Sequence, residues 1–178
     1  IYLLIFLFIG INFDASSQDK TIDLKGQWRF QIDQNDIGIK EKWFSKTLND
    51  SIYLPGSMTE NLKGYDVTLD TQWTGSIYDS SFFYNPRLEK FRKPDNLKIP
   101  FWLTPVKYYV GAAWYQKAIN IPSDWKKEKI VLYLERPHTE TNLWINNKEV
   151  GMQNSLSVPH IFEISSFLKT GKNTITLC

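Results

Sequence analysis

Hydrophobic positions recur with a period of two over short stretches of this chain, the mark of strands with one buried face. "GQWRFQID" sets Trp28, Phe30 and Ile32 on one side. "WYQKAINIP" sets Tyr115, Ile119 and Ile121 on one side and Trp114, Gln116 and Ala118 on the other. "SIYLPG" ends at a Pro-Gly turn, "PHIFEI" keeps the rhythm, and "NTITLC" alternates Ile175 and Leu177 against Thr174, Thr176 and Cys178. "IVLYLE" is almost continuously apolar, which predicts a strand covered on both faces. No long segment carries a helical period; "SSFLKTG" offers one short turn before Gly171 at most. Many short strands punctuated by Pro, Gly and Asn predict an all-β protein, a β-sandwich of jelly-roll type.

"TNLWINNKEVG", Thr141 to Gly151, reads as a hairpin turning at Asn146-Asn147, because asparagine tolerates the positive φ that two-residue turns need. Loop length then fixes the register: Ile145 opposite Lys148, Trp144 opposite Glu149, Leu143 opposite Val150. Leu143, Ile145 and Val150 share the core face, and Trp144 points the other way. Two readings of Trp144 stand: burial by another strand, a loop or a neighbouring domain, or exposure for stacking on sugar.

One region breaks the alternation. Gly64 to Pro105 is rich in aromatics and turn residues and weakly periodic. Long connections in compact domains are uncommon and often functional. It is either an elaborated loop packed on its own aromatics or a segment facing a ligand or another domain.

The ends carry different patterns. "IYLLIFLFIGI" is an apolar run of eleven, short of the roughly 20 residues that span a bilayer as a helix. Followed by Ala15-Ser16-Ser17, it reads as the core of a secretory signal with cleavage before Gln18, an uncleaved anchor being the alternative. This predicts an incomplete signal peptide over 1–17, a sandwich domain over 18–178, and export to the periplasm or extracellular space. The missing initiator Met and a last strand without a turn signal lead us to expect a fragment truncated at both ends.

Composition adds limits. The 178 residues include Lys+Arg 21 and Asp+Glu 19, a net charge of +2 that points to no polyanionic partner, and "RLEKFRK" mixes signs too freely for a nucleic-acid patch. Cys178 is the only cysteine, which leaves no internal disulfide and no cysteine-based metal site. His138 and His160 lie far apart without ligand-like partners and read as structural or surface residues. "DWKKEK" reads as a solvated loop. Neither paired carboxylates, a nucleophile with its base, nor a phosphate loop is assembled by local spacing. Aromatics make up 15% of the chain, with 7 Trp; such residues near loops pack in cores or stack on sugar C–H faces.

Six stretches carry a resemblance: "LKGQWRF", "LPGSM", "GAAWYQKAINIPSDW", "VLYLERPHTETNLWINNKEVG", "NSLSVPHIFEIS" and "GKNTITL". In order and spacing they resemble the N-terminal, galactose-binding-like sugar-binding domain of glycoside hydrolase family 2, which contains β-galactosidases, β-glucuronidases and β-mannosidases. The resemblance implies an ancillary domain of an exported retaining exo-β-glycosidase acting on a β-linked glycoside or oligosaccharide. It implies immunoglobulin-like and TIM-barrel domains downstream, the barrel holding both catalytic glutamates. Glu135, Glu140, Glu149 and Glu163 are therefore not those residues. No cofactor, no metal site within this domain and no nucleic acid is expected, while the metal dependence of the barrel and assembly into a homo-oligomer stay open.

The chain departs from the family in using Asn146-Asn147 where relatives often have Asn-Gly, and in its longer insert over 64–105. Family loops of this domain can reach the active-site mouth. The substrate-binding candidates are therefore Trp73, Asp79, Tyr84 and Trp102, aromatics to stack on a ring and a carboxylate to accept hydroxyl protons. A stand-alone carbohydrate-binding module and a purely structural interaction sandwich are the alternatives.

Overall fold

A computed structural model describes residues 20–178 apart from residues 74, 76, 100, 101 and 138. The expected signal peptide and His138 lie outside the described residues. The strands are β1 (Gly26–Asp33), β2 (Asp50–Leu54), β3 (Tyr65–Asp66), β4 (Lys107–Tyr108), β5 (Ala112–Ile121), β6 (Val131–Leu134), β7 (Glu140–Ile145), β8 (Lys148–Asn154), β9 (His160–Glu163) and β10 (Gly171–Leu177). One short helix, α1 (Ser81–Tyr84), lies in the aromatic insert. The main sheet is antiparallel with strand order β2-β1-β5-β10-β7-β8, while β6 pairs with β9 and β3 with β4 in two-stranded ribbons. This is the all-β sandwich the alternation predicts.

Each face of the main sheet has its own apolar cover. On one face Trp28, Phe30, Ile52, Leu143, Ile145 and Ile175 meet Leu132 and Phe162 of the β6–β9 ribbon. On the other, Trp114 and Trp144 meet Trp43 and Leu48 from the segment between β1 and β2. Period two explains the division, since neighbouring residues of one strand must serve opposite layers. Full burial of each such side chain contributes about 1.5–3 kcal/mol.

The segment covering the second face is fixed at several points. Asp33, at the end of β1, is buried and accepts hydrogen bonds from the backbone N–H groups of Ile37 (2.9 Å) and Gly38 (2.7 Å) and from Trp114 Nε1 (3.0 Å). Farther along, Arg29 Nη1 donates to the Leu48 carbonyl at 3.0 Å and Gln116 Nε2 to the Lys46 carbonyl at 3.0 Å. Trp43 and Phe44 are thereby held over the sheet. Trp144 is 4% exposed, stacked on Phe44 (centroids 5.1 Å apart, planes 7° apart) and on Trp114 (5.1 Å, 26°). Of the two readings of Trp144, burial by a loop is the one found.

The hairpin keeps its predicted turn, with Asn146 at φ 50° and Asn147 at φ 69°. Ile145 faces Lys148 and Trp144 faces Glu149, but Leu143 pairs with Gly151 rather than Val150. A bulge next to Trp144 inserts one residue into β8, and this corrects the expected register. Val150 still packs against the core as a partly buried residue. A second correction concerns "IVLYLE". Its alternation is real, with Leu132 buried while Val131 and Tyr133 are 49% and 55% exposed. Only one face of the ribbon meets the main sheet, and the described residues do not cover its outer face. Ser165–Phe167 forms the single short 3₁₀ turn expected in "SSFLKTG".

Candidate functional site

The insert is built as a unit with its own core. At its base Tyr65 pairs with Tyr108 and Asp66 with Lys107, whose ammonium lies 2.6 Å from the Asp66 carboxylate. Between these strands Trp73, Phe82 and Ile99 are buried together, with Val67, Leu88, Phe91, Leu97 and Trp102 packed around them. A two-stranded ribbon is a weak element by itself, and the aromatic cluster above it supplies the burial that holds the loop.

Short polar devices set the local turns. Asp79 Oδ1 accepts from the Ser81 N–H at 2.9 Å, just where α1 begins. Asn85 accepts from the Arg87 N–H at 3.0 Å and caps the 3₁₀ helix Pro86–Phe91, whose leading proline lacks the N–H that would otherwise go unpaired. The Arg92 guanidinium donates to the carbonyls of Phe82 and Asn85, tying this helix to α1.

The four candidates take different places. Trp73 is 7% exposed and forms the floor of the cluster, against Tyr78 (4.9 Å between centroids), Phe82 (5.8 Å) and Phe83 (6.3 Å). Trp102 is half-buried and meets Tyr108 edge-on at 5.5 Å. Asp79 is half-buried beside α1. Tyr84 stands out at 72% exposure. The structure brings Trp73, Asp79 and Tyr84 into one aromatic knob and sets Trp102 at its base, near the β3–β4 ribbon. Sequence reasoning passed over Tyr78 and Phe83. These rings stack on each other at 5.9 Å and are exposed, and the dense "IYDSSFFY" was the signal available for them.

Elsewhere, Glu135, Glu140 and Glu163 serve local structure, and Glu149 is exposed. Glu140 accepts from Asn142 and Asn154, Glu163 from Ser165, and Glu135 meets Arg136. Its hydrogen bonds with Ser165 hold the Glu163 carboxyl below the ordinary carboxylate range. His160 is fully buried, with Nδ1 2.9 Å from Thr141 Oγ1 and Nε2 3.1 Å from the Ser155 carbonyl. The carbonyl must accept, so Nε2 carries a proton and the ring is a structural bridge, as its isolation in the sequence suggested. Among the described residues no three His, Cys, Asp or Glu side chains converge to hold a metal. A cleft of about 1790 Å³ opens beside the β6–β9 ribbon, its walls including Trp28, Tyr115, Leu132, Ile164 and Leu177. Its lining is continuous with the apolar core. Burial there pushes the Tyr115 phenol up to about 12.

Comparison with known proteins gives a consistent result. The family model for "Glycosyl hydrolases family 2, sugar binding domain" matches residues 21–178. A β-galactosidase of Priestia megaterium is 29% identical over 159 residues, covering 86% of this chain and 13% of the relative. A β-glucuronidase of Paenibacillus borealis is 22% identical, covering 87% of this chain and 20% of the relative. In structure the chain is similar to a β-glucuronidase of Ruminococcus gnavus, with a TM-score of 0.58, 20% identity, and coverage of 86% of this chain and 20% of that one. The chain thus spans between 13% and 20% of the length of these relatives.

Proposed function

We propose a function from one premise: this chain belongs to glycoside hydrolase family 2, whose sugar-binding domain it forms. It serves as the N-terminal ancillary domain of an exported, retaining exo-β-glycosidase of β-galactosidase type that hydrolyses O-glycosyl bonds in a β-linked glycoside or oligosaccharide. The export reading rests on the apolar run before Ala15-Ser16-Ser17. The reading of the chemistry rests on the relatives, named as β-galactosidases and β-glucuronidases. Retention requires two carboxyl groups about 5–5.5 Å apart across the scissile bond. In this proposal both belong to a downstream barrel domain, and this domain contributes binding.

The observation that carries the binding role is the insert. A loop with its own buried core, clasped at its base, presents Tyr78, Phe83 and Tyr84 to solvent. Large exposed rings on a firm support cost little entropy on binding and match the C–H faces of sugars. The test is steady-state kinetics of the parent enzyme carrying Tyr84→Ala, with Asp79→Asn as a milder change that keeps an acceptor near Ser81. A rise of about tenfold in KM for a β-linked oligosaccharide, equivalent to about 1.4 kcal/mol of binding, is the expected result. Unchanged kinetics on every substrate would remove the insert from substrate recognition.

A further inference from the structure

Near-neutrality of the whole chain conceals a local surplus. Between residues 87 and 98 lie Arg87, Lys90, Arg92, Lys93 and Lys98 against Glu89 and Asp95, an excess of three cations where the entire chain nets +2. Arg92 is occupied by backbone carbonyls. The others are exposed, and among the described residues Arg87, Lys90 and Lys93 make no ion pair. Pro86, Arg87, Glu89, Lys90 and Lys93 line a shallow hollow of about 480 Å³. This hollow directly follows α1, whose Phe83 and Tyr84 belong to the exposed aromatic knob.

We propose that this part of the insert is a surface site for a carboxylated glycan, a chain of uronic-acid units, with sugar rings on Tyr78, Phe83 and Tyr84 and carboxylates on Arg87, Lys90 and Lys93. Each feature selects this ligand by its chemistry. Stacking rings favour a pyranose chain. The planar guanidinium of Arg87 can meet a carboxylate with two parallel hydrogen bonds, while the lysines act as mobile point charges. Glu89 and Asp95, set among the cations, disfavour the continuous charge of a polyphosphate backbone. A polyuronate, with at most one charge per ring, leaves uncharged faces between its carboxylates. The site does not depend on the insert reaching the sugar that reacts.

The experiment measures retention of the parent enzyme on immobilised polygalacturonate, neutral galactan, dextran sulfate and single-stranded DNA at matched salt. Retention on polygalacturonate is expected to exceed that on the other three. It should fall at least about tenfold in the triple variant Arg87→Gln, Lys90→Gln, Lys93→Gln, and also in Tyr84→Ala, with each variant melting at the wild-type temperature. Because these side chains are exposed, a variant that melts early is replaced by single charge reversals at Arg87 and Lys93, with the same loss expected. Equal retention on neutral galactan, equal retention on dextran sulfate or DNA, insensitivity to Tyr84→Ala, or no retention on polygalacturonate would each overturn the proposal. Unchanged kinetics in Tyr84→Ala together with the expected loss of its retention on polygalacturonate would remove only the substrate-binding role proposed above.

Discussion

Gly38 shows how one missing side chain holds a layer in place. A Cβ built there would lie 2.4 Å from Trp114 Nε1 and 2.6 Å from Asp33 Oδ2, atoms that already share a hydrogen bond. Gly38→Ala must push the indole or the loop away, and overpacking of this kind costs about 1–3 kcal/mol. Chemical denaturation should show the midpoint falling with an unchanged slope. Tyr115 makes a prediction in pH. Its folded pKa stands at about 12 against an ordinary value of 10.0, because burial disfavours the phenolate. The unfolded chain therefore loses this proton first. Stability from the neutral phenol is complete below pH 10 and drains away as pH rises toward 12. Tyr115→Phe should flatten that alkaline decline in a series of thermal melts. The buried partners of Asp33 were not legible in sequence, because they come from the chain after β1 and from β5.

At the scale of elements, the hairpin explains why its turn is Asn-Asn. Asn146 Nδ2 donates to Asn173 Oδ1 at 2.7 Å and to the Phe167 carbonyl at 3.2 Å, while its Oδ1 accepts from the Thr174 N–H at 3.0 Å. Asn173 itself is buried and bonded to Lys169 and Gly171. The first turn residue thus ties β7 to β10, while the second supplies only a positive φ. Asn147→Gly should leave stability unchanged or raise it by a few tenths of a kcal/mol, as expected for relief of the left-handed conformation. Asn146→Gly keeps the turn geometry and removes the side-chain bonds, at a cost of about 1–3 kcal/mol. Equal melting temperatures for the two variants would contradict this division of labour. Turn type was readable from two asparagines; the bulge at Trp144 was not, since nothing local marks where β8 takes up an extra residue.

At the scale of the molecule, the insert has a core of its own, separate from the two apolar layers of the sandwich. Trp73→Ala should cost the insert about 3–5 kcal/mol, as for other large aromatics removed from a core. Because the insert is closed by its own ribbon, the loss should stay local. Hydrogen exchange should quicken across residues 67–99 while the amides of β5, β7 and β10 keep their protection; acceleration in both regions would show a single cooperative unit. The composition of 64–105 announced an aromatic loop. It did not say that Trp73 would lie beneath while Tyr78, Phe83 and Tyr84 lie above, because that choice depends on where Ile99 and Phe82 fall in space.

The sequence by itself determined which residues of a strand travel together. Backbone pleating alternates side chains whatever the strand packs against, so Trp28 with Phe30, and Leu143 with Ile145, were bound to share a face. It also carried the family, through six stretches in order. What covers each face was decided only by tertiary structure. Trp144 is buried because a segment a hundred residues earlier is fastened over it through Asp33, Arg29 and Gln116. Val131 and Tyr133 face outward because the described residues lay nothing on that side of the ribbon. Local patterns follow from the geometry of a single strand, whereas burial is a property of pairs of surfaces brought together across the chain.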